Sequence, residues 1–211
     1  MNDTARGTFG GTLTVEVAGV PYPLEFGDWV DDRLWSTCQF ATTQTTTLQT
    51  LIGAPGDPMP GNTAATLSKR ESNLPRGAGA GLPDGYEMLV FSIQHVMGSN
   101  MNDLPAGLTL ADISDIYDRT VFSFLVQNKV KNMGPLYKHP AGSGGYGRTD
   151  ASAQVNNGVP SPRDQAAFVL PIELRPNVSF RGEFEFDAAL SLASAVQIET
   201  HLQGLYKRPV T

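Results

Sequence analysis

Pro176-Asn-Val-Ser-Phe-Arg-Gly-Glu-Phe-Glu-Phe186 and Ala195-Val-Gln-Ile-Glu-Thr-His-Leu-Gln-Gly-Leu-Tyr206 decide the fold of this chain. In the first, Val178, Phe180, Gly182, Phe184 and Phe186 fall on one side of an extended backbone, and Ser179, Arg181, Glu183 and Glu185 on the other. In the second, Val196, Ile198, Thr200 and Leu202 alternate with Gln197, Glu199, His201 and Gln203. A period of two over such lengths marks strands with one face in a core and the other in water.

Working outward, the same pattern recurs. Gly11–Val17 reads as a strand, and Val20–Phe26, with Pro21 and Pro23, as an edge strand. Arg33–Thr43 is a further strand, and Thr42–Leu51 is Thr-rich and extended. Tyr86–Met97 places Leu89, Phe91, Ile93, His95 and Met97 on one face, and Thr120–Val130 does so with Phe122, Phe124, Val126 and Val130. Ala166–Leu174 is another strand, with Pro171 implying an edge or a bulge. Thr109–Arg119 alone has helical spacing: Leu110, Ile113, Ile116 and Tyr117 form a stripe, and Thr109 with Asp112 forms a variant capping box.

Gly and Pro punctuate two long segments. The loop near 53–85 holds Pro55, Pro58, Pro60, Pro75, Pro83 and Gly77–Gly81; the loop near 132–165 holds Gly142–Gly147, Gly158, Pro160 and Pro162. Loops this long are uncommon in compact domains and tend to be functional, so they read as arms that reach neighbours. The resulting expectation is an all-β chain, a jelly-roll-like β-sandwich of about eight strands with one short helix and two long loops. It is divided into a flexible N-terminal arm at 1–12 and a single domain at 13–211.

Composition narrows the function classes. The 211 residues are 40% hydrophobic, enough for a core, but only 17% charged, against roughly 25% in ordinary soluble domains. Such a surface can be covered by another protein without desolvating many charges. The net charge is −6, and Lys129, Lys131 and Lys138 are the nearest thing to a basic cluster, which argues against direct nucleic-acid contact. Cys38 is the single cysteine, so neither an intrachain disulfide nor a thiolate metal cluster is expected. No apolar run resembles a signal or a membrane span, so the expectation is synthesis in a reducing cytoplasm, without secretion or membrane insertion.

Candidate chemistry is weak. Gly142-Ser-Gly-Gly-Tyr-Gly147 matches a dinucleotide pattern but lacks a following helix. His95 reads as a core histidine, and His139 and His201 as solvated ones; the His-x-His spacing of a cupin-type metal site is absent. Glu183, Glu185 and Glu199 could form a glycosidase pair, yet beside Arg181 they read better as cross-strand charge pairs. Asp112, Asp115 and Asp118 read as the solvent face of the helix. No catalytic, cofactor-binding or metal residue is assigned, and the chain is not expected to be an enzyme. A polysaccharide hydrolase using Glu183 and Glu185 is the least favoured alternative.

The order Gln127-Asn-Lys129, Gly134-Pro-Leu136, Pro140–Gly145, Asn157-Gly-Val-Pro160, Leu170-Pro-Ile172, Leu174–Phe180 and Leu202–Pro209 resembles a group of structural proteins encoded among the virion genes of tailed bacteriophages. The resemblance spans a little under half the chain and rests on turn and strand signatures. It implies a jelly-roll-like virion component, such as a capsid decoration (cement) or head protein that binds and stabilises the shell. The partners it implies are the major capsid protein or other virion proteins, together with further copies of the chain, as a homotrimer. The alternative is a carbohydrate- or receptor-binding jelly roll of a spike, fibre or tail, with Trp35, Tyr137 and Tyr146 as sugar platforms.

Overall fold

The computed structural model describes residues 12–17, 20–25, 29–75, 81–97, 107–139, 146–148, 154–156 and 167–208. The arm expected over 1–12 lies outside them except for Thr12, as does most of the Gly142–Gly147 loop.

In chain order the elements are β1 (Thr12–Val17), β2 (Val20–Glu25), β3 (Trp29–Phe40), β4 (Thr43–Gln44), β5 (Leu48–Thr50), β6 (Pro58–Met59), β7 (Asn62–Thr66), β8 (Glu87–Met97), α1 (Leu110–Arg119), β9 (Thr120–Val126), β10 (Lys129–Pro135), β11 (Tyr146–Arg148), β12 (Gln154–Asn156), β13 (Ala167–Leu174), β14 (Phe180–Phe186), β15 (Leu190–Ser191) and β16 (Val196–Lys207). Two four-stranded antiparallel sheets, β13-β8-β16-β3 and β10-β9-β14-β5, make an all-β sandwich. The pairs β3–β16, β5–β14, β8–β13 and β9–β10 join the first of these eight strands to the last, the second to the seventh, the third to the sixth and the fourth to the fifth. Further pairing of β8 with β16 and of β9 with β14 completes the sheets.

The expected alternation is realised. Along β16 buried and half-buried residues alternate without a break, with Val196, Ile198, Thr200, Leu202 and Tyr206 inside. Opposite them, Phe180 and Phe184 of β14 and Phe122 and Phe124 of β9 are buried. The Phe40 ring meets Phe184 and Phe186 edge-on at 5.2 and 5.1 Å, the geometry that aromatic quadrupoles favour. Gly182 is a close-approach site: a Cβ there would lie 2.7 Å from both the Phe122 ring and Thr50 Cγ2. Helix α1 packs Ile113, Ile116 and Tyr117 into the same core. Its N-terminus is the expected box, with Asp112 N–H donating to Thr109 Oγ1 at 3.2 Å and Thr109 N–H to the Asp112 carboxylate at 2.7 Å.

Three expectations need correction. On β8 the expected face holds from Ile93 to Met97, but a bulge opposite Gln203 and Gly204 switches it, so Met88 and Val90 enter the core in place of Leu89 and Phe91, and Phe91 is half-buried. Thr120–Val130 is not one strand: Gln127 and Asn128 both have positive φ, 51° and 61°, and fold β9 back onto β10. A two-residue turn with two left-handed residues matches the right-handed twist of a hairpin, but without glycine it leaves no obvious mark in the sequence. Val130 consequently stands in solvent instead of the core. Further, the irregular stretch expected from Asn132 begins inside β10 and continues into a 3-10 turn over Leu136–Lys138.

The segment 53–75 lies along its own sheet. Thr37 N–H donates to the Glu71 carbonyl at 2.9 Å, Gln39 N–H to Pro60 at 2.8 Å, and Asn73 N–H to Trp35 at 3.2 Å. The Asn73 side chain adds bonds to Trp35 N–H and the Arg33 carbonyl. The outer edge of β3 is thereby paired, which removes a template for aggregation.

Candidate functional site

Two places gather side chains of chemical interest: a polar inclusion in the core, and the edge of the sandwich formed by β10 and β13.

The inclusion centres on His95, which alternation turns inward from β8. Its Nδ1 lies 3.2 Å from Thr200 Oγ1, which in turn receives the Thr50 hydroxyl at 3.5 Å. Its ring packs 4.3 Å from Phe122, 5.3 Å from Phe184 and 5.5 Å from His139. His139, expected in solvent, is buried: the β9–β10 turn brings the chain back, and the 3-10 turn swings this residue over Phe122. Its Nε2 lies 2.6 Å from Asn132 Oδ1, and its carbonyl accepts from His95 N–H at 3.2 Å. Burial holds the His95 imidazole well below its ordinary value, with the neighbouring His139 and His201 pushing the same way. Burial also takes His139 down to about 4; the nearby Lys138 adds to this, and the Pro135 carbonyl opposes it without reaching hydrogen-bonding geometry at Nδ1. Both rings are therefore neutral near pH 7, and His95 Nε2 and His139 Nδ1 have no hydrogen-bond partner. Cys38 also faces inward, and burial pushes its thiol up to about 12, which leaves it a poor nucleophile. Among the described residues no three His, Cys, Asp or Glu side chains are gathered for a metal ion.

The carboxylates do not converge. Glu183 and Glu185 are on the outer face of one sheet, and Glu199 on the outer face of the other. Glu183 pairs with Arg181 at 2.7 Å along the same strand and receives the Gln49 amide, so the pairing is within β14 instead of across strands. Glu199 pairs with His201 at 3.0 Å. His201 is half-buried, not solvated, with the Trp35 ring 6.3 Å away. Trp35 is itself tied down by Nε1–H to the Arg70 carbonyl at 3.0 Å, which limits its use as a sugar platform. The side chain of Tyr146 lies outside the described residues. A shallow cleft of about 330 Å³ opens where β13 parts from β8, between Phe91, Ser92, Ala167 and Gln203; Asp31 is its one charged lining residue. Gln94 bridges Gln203 and Ser92 beside it.

The β10/β13 edge is different in kind. Because His95 of β8 packs on Phe122 of β9, the outer neighbours of these strands, β13 and β10, lie at the same side of the sandwich. Val169 is 97% exposed and Met133 66%, and Val130, Tyr137 and Leu170 are each more than half exposed. Two consecutive exposed residues on β13 arise because its register with β8 is broken between Ala167 and Ile172, where Pro171 removes a donor. Interleaved on β10 are Lys129 and Lys131, with Lys138 just beyond, all exposed; no Asp or Glu occurs between Gln127 and His139. On a chain of net charge −6 this is a cationic, apolar strip. Sequence reasoning missed it by assigning Val130 to the core, although the alternation Lys129-Val-Lys131 was its signal.

Comparison with known proteins finds no matching family model, no matching curated protein and no matching solved structure. No helix among the described residues is long and apolar enough to cross a membrane.

Proposed function

We propose that the sandwich is a jelly roll and that the chain is a virion structural protein of a tailed bacteriophage, a capsid decoration protein that binds the head shell as a homo-oligomer. The topological support is the pairing of first strand with eighth, second with seventh, third with sixth and fourth with fifth. That is the pattern made when one long antiparallel hairpin is rolled into two facing sheets, and jelly rolls recur in viral capsid and lectin domains.

The observation that carries the functional half is the β10/β13 edge. Monomeric proteins rarely leave a contiguous apolar strip uncovered, and such strips mark interaction sites. Here Val130 and Met133 of β10, Tyr137 of the following 3-10 turn, and Val169 and Leu170 of β13 stand in solvent at an edge strand of each sheet, on a chain whose charged fraction is 17%. A shell protein and further copies of the chain are the partners that suit it, and a closed trimer is the favoured assembly. Quantitative mass spectrometry of purified particles from the encoding phage tests the reading. Hundreds of copies per particle are expected, and protein that stays in the lysate and is missing from particles would overturn it.

A further inference from the structure

Two irregularities of the sheet β13-β8-β16-β3 meet at one place. Gln203 and Gly204 of β16 pair with Ser92 and Val90 of β8, so Phe91 is an extra residue between them. On the other side of β8, Ala167 pairs with the same Ser92 and Ile172 with the same Val90, so the register of β13 breaks there too. A bulge of this kind re-aims a side chain. Regular alternation would send Phe91 and Ser92 to opposite faces of the sheet. Here both look outward, because Val90 and Ile93 on either side of them lie in the core. Gly204 permits the close approach of the strands: a Cβ there would run into the Leu89 carbonyl oxygen. The result is the cleft of about 330 Å³, with Asp31 brought to it from β3 by its register opposite Leu205.

We propose that this cleft binds one neutral sugar ring of pyranose type, seated on Phe91. Three observations choose that chemistry. First, Phe91 and Leu205, both half-buried, give the cleft an apolar floor. The face of an aromatic ring carries negative quadrupole density, and a pyranose presents a patch of C–H bonds that suits it. Second, the polar groups are set in advance. Gln94 is buried, and its Nε2 donates to Gln203 Oε1 at 2.8 Å and to Ser92 Oγ at 3.3 Å. The Gln203 carbonyl is thereby engaged, and its amide N–H groups and the Ser92 hydroxyl proton are left to donate. Asp31 supplies an acceptor, and among the described residues its carboxylate has no hydrogen bond or ion pair. Donors from β8 and β16 and an acceptor from β3 serve neighbouring hydroxyls, since each hydroxyl both donates and accepts. Third, the local charge is balanced. Arg33 stands two residues from Asp31 on the same face of β3, opposite Gln203, so neither an organic cation nor an anion is favoured over a neutral ligand. The volume sits at the lower end of ligand pockets, which run from about 300 to 1,000 Å³, and so admits a single ring. This inference goes beyond the capsid reading and stands or falls without it.

The test is amide NMR of the full-length protein, titrated in turn with the methyl pyranosides of glucose, galactose, mannose and N-acetylglucosamine. At least one is expected to give saturable shifts at the Gln203 side-chain amide and at the Ser92 and Leu205 N–H groups, with a dissociation constant of about 1 mM for a ligand of this size. Phe91→Leu keeps the apolar bulk and loses the ring face, and should weaken that binding at least about threefold. Asp31→Asn keeps the shape and loses the charged acceptor, and should weaken it about tenfold. Tyr137→Ala, at an exposed aromatic residue of the β10 side, should leave it unchanged. Dispersion of the amide spectrum shows that each variant is folded, and Asp31, being exposed, keeps the test readable if Phe91→Leu does not fold. No saturable shift with any of the four sugars, shifts confined to other parts of the chain, or folded Phe91 and Asp31 variants that bind as tightly as the parent would each overturn the proposal. Saturation of the same residues by n-butylammonium chloride and not by the sugars would overturn it as well, in favour of a cation site.

Discussion

Acidification should unfold this protein through its buried imidazoles, and His139 sets the scale. Its folded-state value of about 4 lies below the ordinary 6.5 because burial disfavours the cation. The unfolded chain therefore binds the proton first, so stability is full above about pH 6.5, falls as pH drops towards 4, and levels off below that. Between pH 7.5 and 5.0 the linkage amounts to about 2 kcal/mol for His139 alone. His95 is shifted in the same direction, and the two rings lie 5.5 Å apart, so protonating one makes protonating the other harder. Urea titrations followed by the fluorescence of the two tryptophans, at fixed protein concentration, give the midpoint at each pH. With a slope of about 2 kcal/mol per M, the His139 contribution is a fall of roughly 1 M. His139→Gln retains a donor towards Asn132 Oδ1 and removes the titration, so its midpoint should be about 1 M less sensitive to the same pH change. Equal pH sensitivity in parent and variant would refute the argument that burial of this ring makes it an acid-labile element.

Three further changes probe the frame that holds the edge. Gly182→Val should lower stability by about 1–3 kcal/mol, measured by denaturant midpoint, because its new Cβ enters the space of Phe122 and Thr50. Thr109→Ala removes the hydroxyl that accepts from Asp112 N–H and should cost about 1 kcal/mol in the same assay. Asn128→Gly should raise stability by about 0.5 kcal/mol, since glycine adopts the φ of 61° at that turn without the Cβ penalty, offset in part by greater freedom in the unfolded chain; a loss would contradict a turn that requires left-handed residues.

What the sequence disclosed, and what it hid, follow from one physical distinction. Alternation reports the side of a strand that faces apolar surroundings, so β14 and β16 were legible almost residue by residue, and β8 from Ile93 onward, whereas the bulge opposite Gln203 and Gly204 that turns Met88 and Val90 inward left no mark in the pattern; the Thr109–Asp112 box located α1 to within one residue. Alternation says nothing of where a chain reverses if the turn lacks glycine. Gln127-Asn128 concealed a hairpin, and three consequences stayed hidden with it: Val130 moved from core to solvent, β10 became an edge, and His139 was carried back over Phe122 into the core. Nor does it say what covers an outward face. The row Gln197, Glu199, His201 and Gln203 is polar and half-buried because its own neighbours engage it: Met59 meets Gln197, Gln94 meets Gln203, and Glu199 meets His201. On β10 and β13, by contrast, Glu173 and Asn132 are engaged by Arg175 and His139, while the apolar Val130, Met133, Val169 and Leu170 stand exposed. The outer face of β16 is thus largely occupied from within, whereas at β10 and β13 a glycine-free turn and a broken register expose apolar residues that strands ordinarily bury.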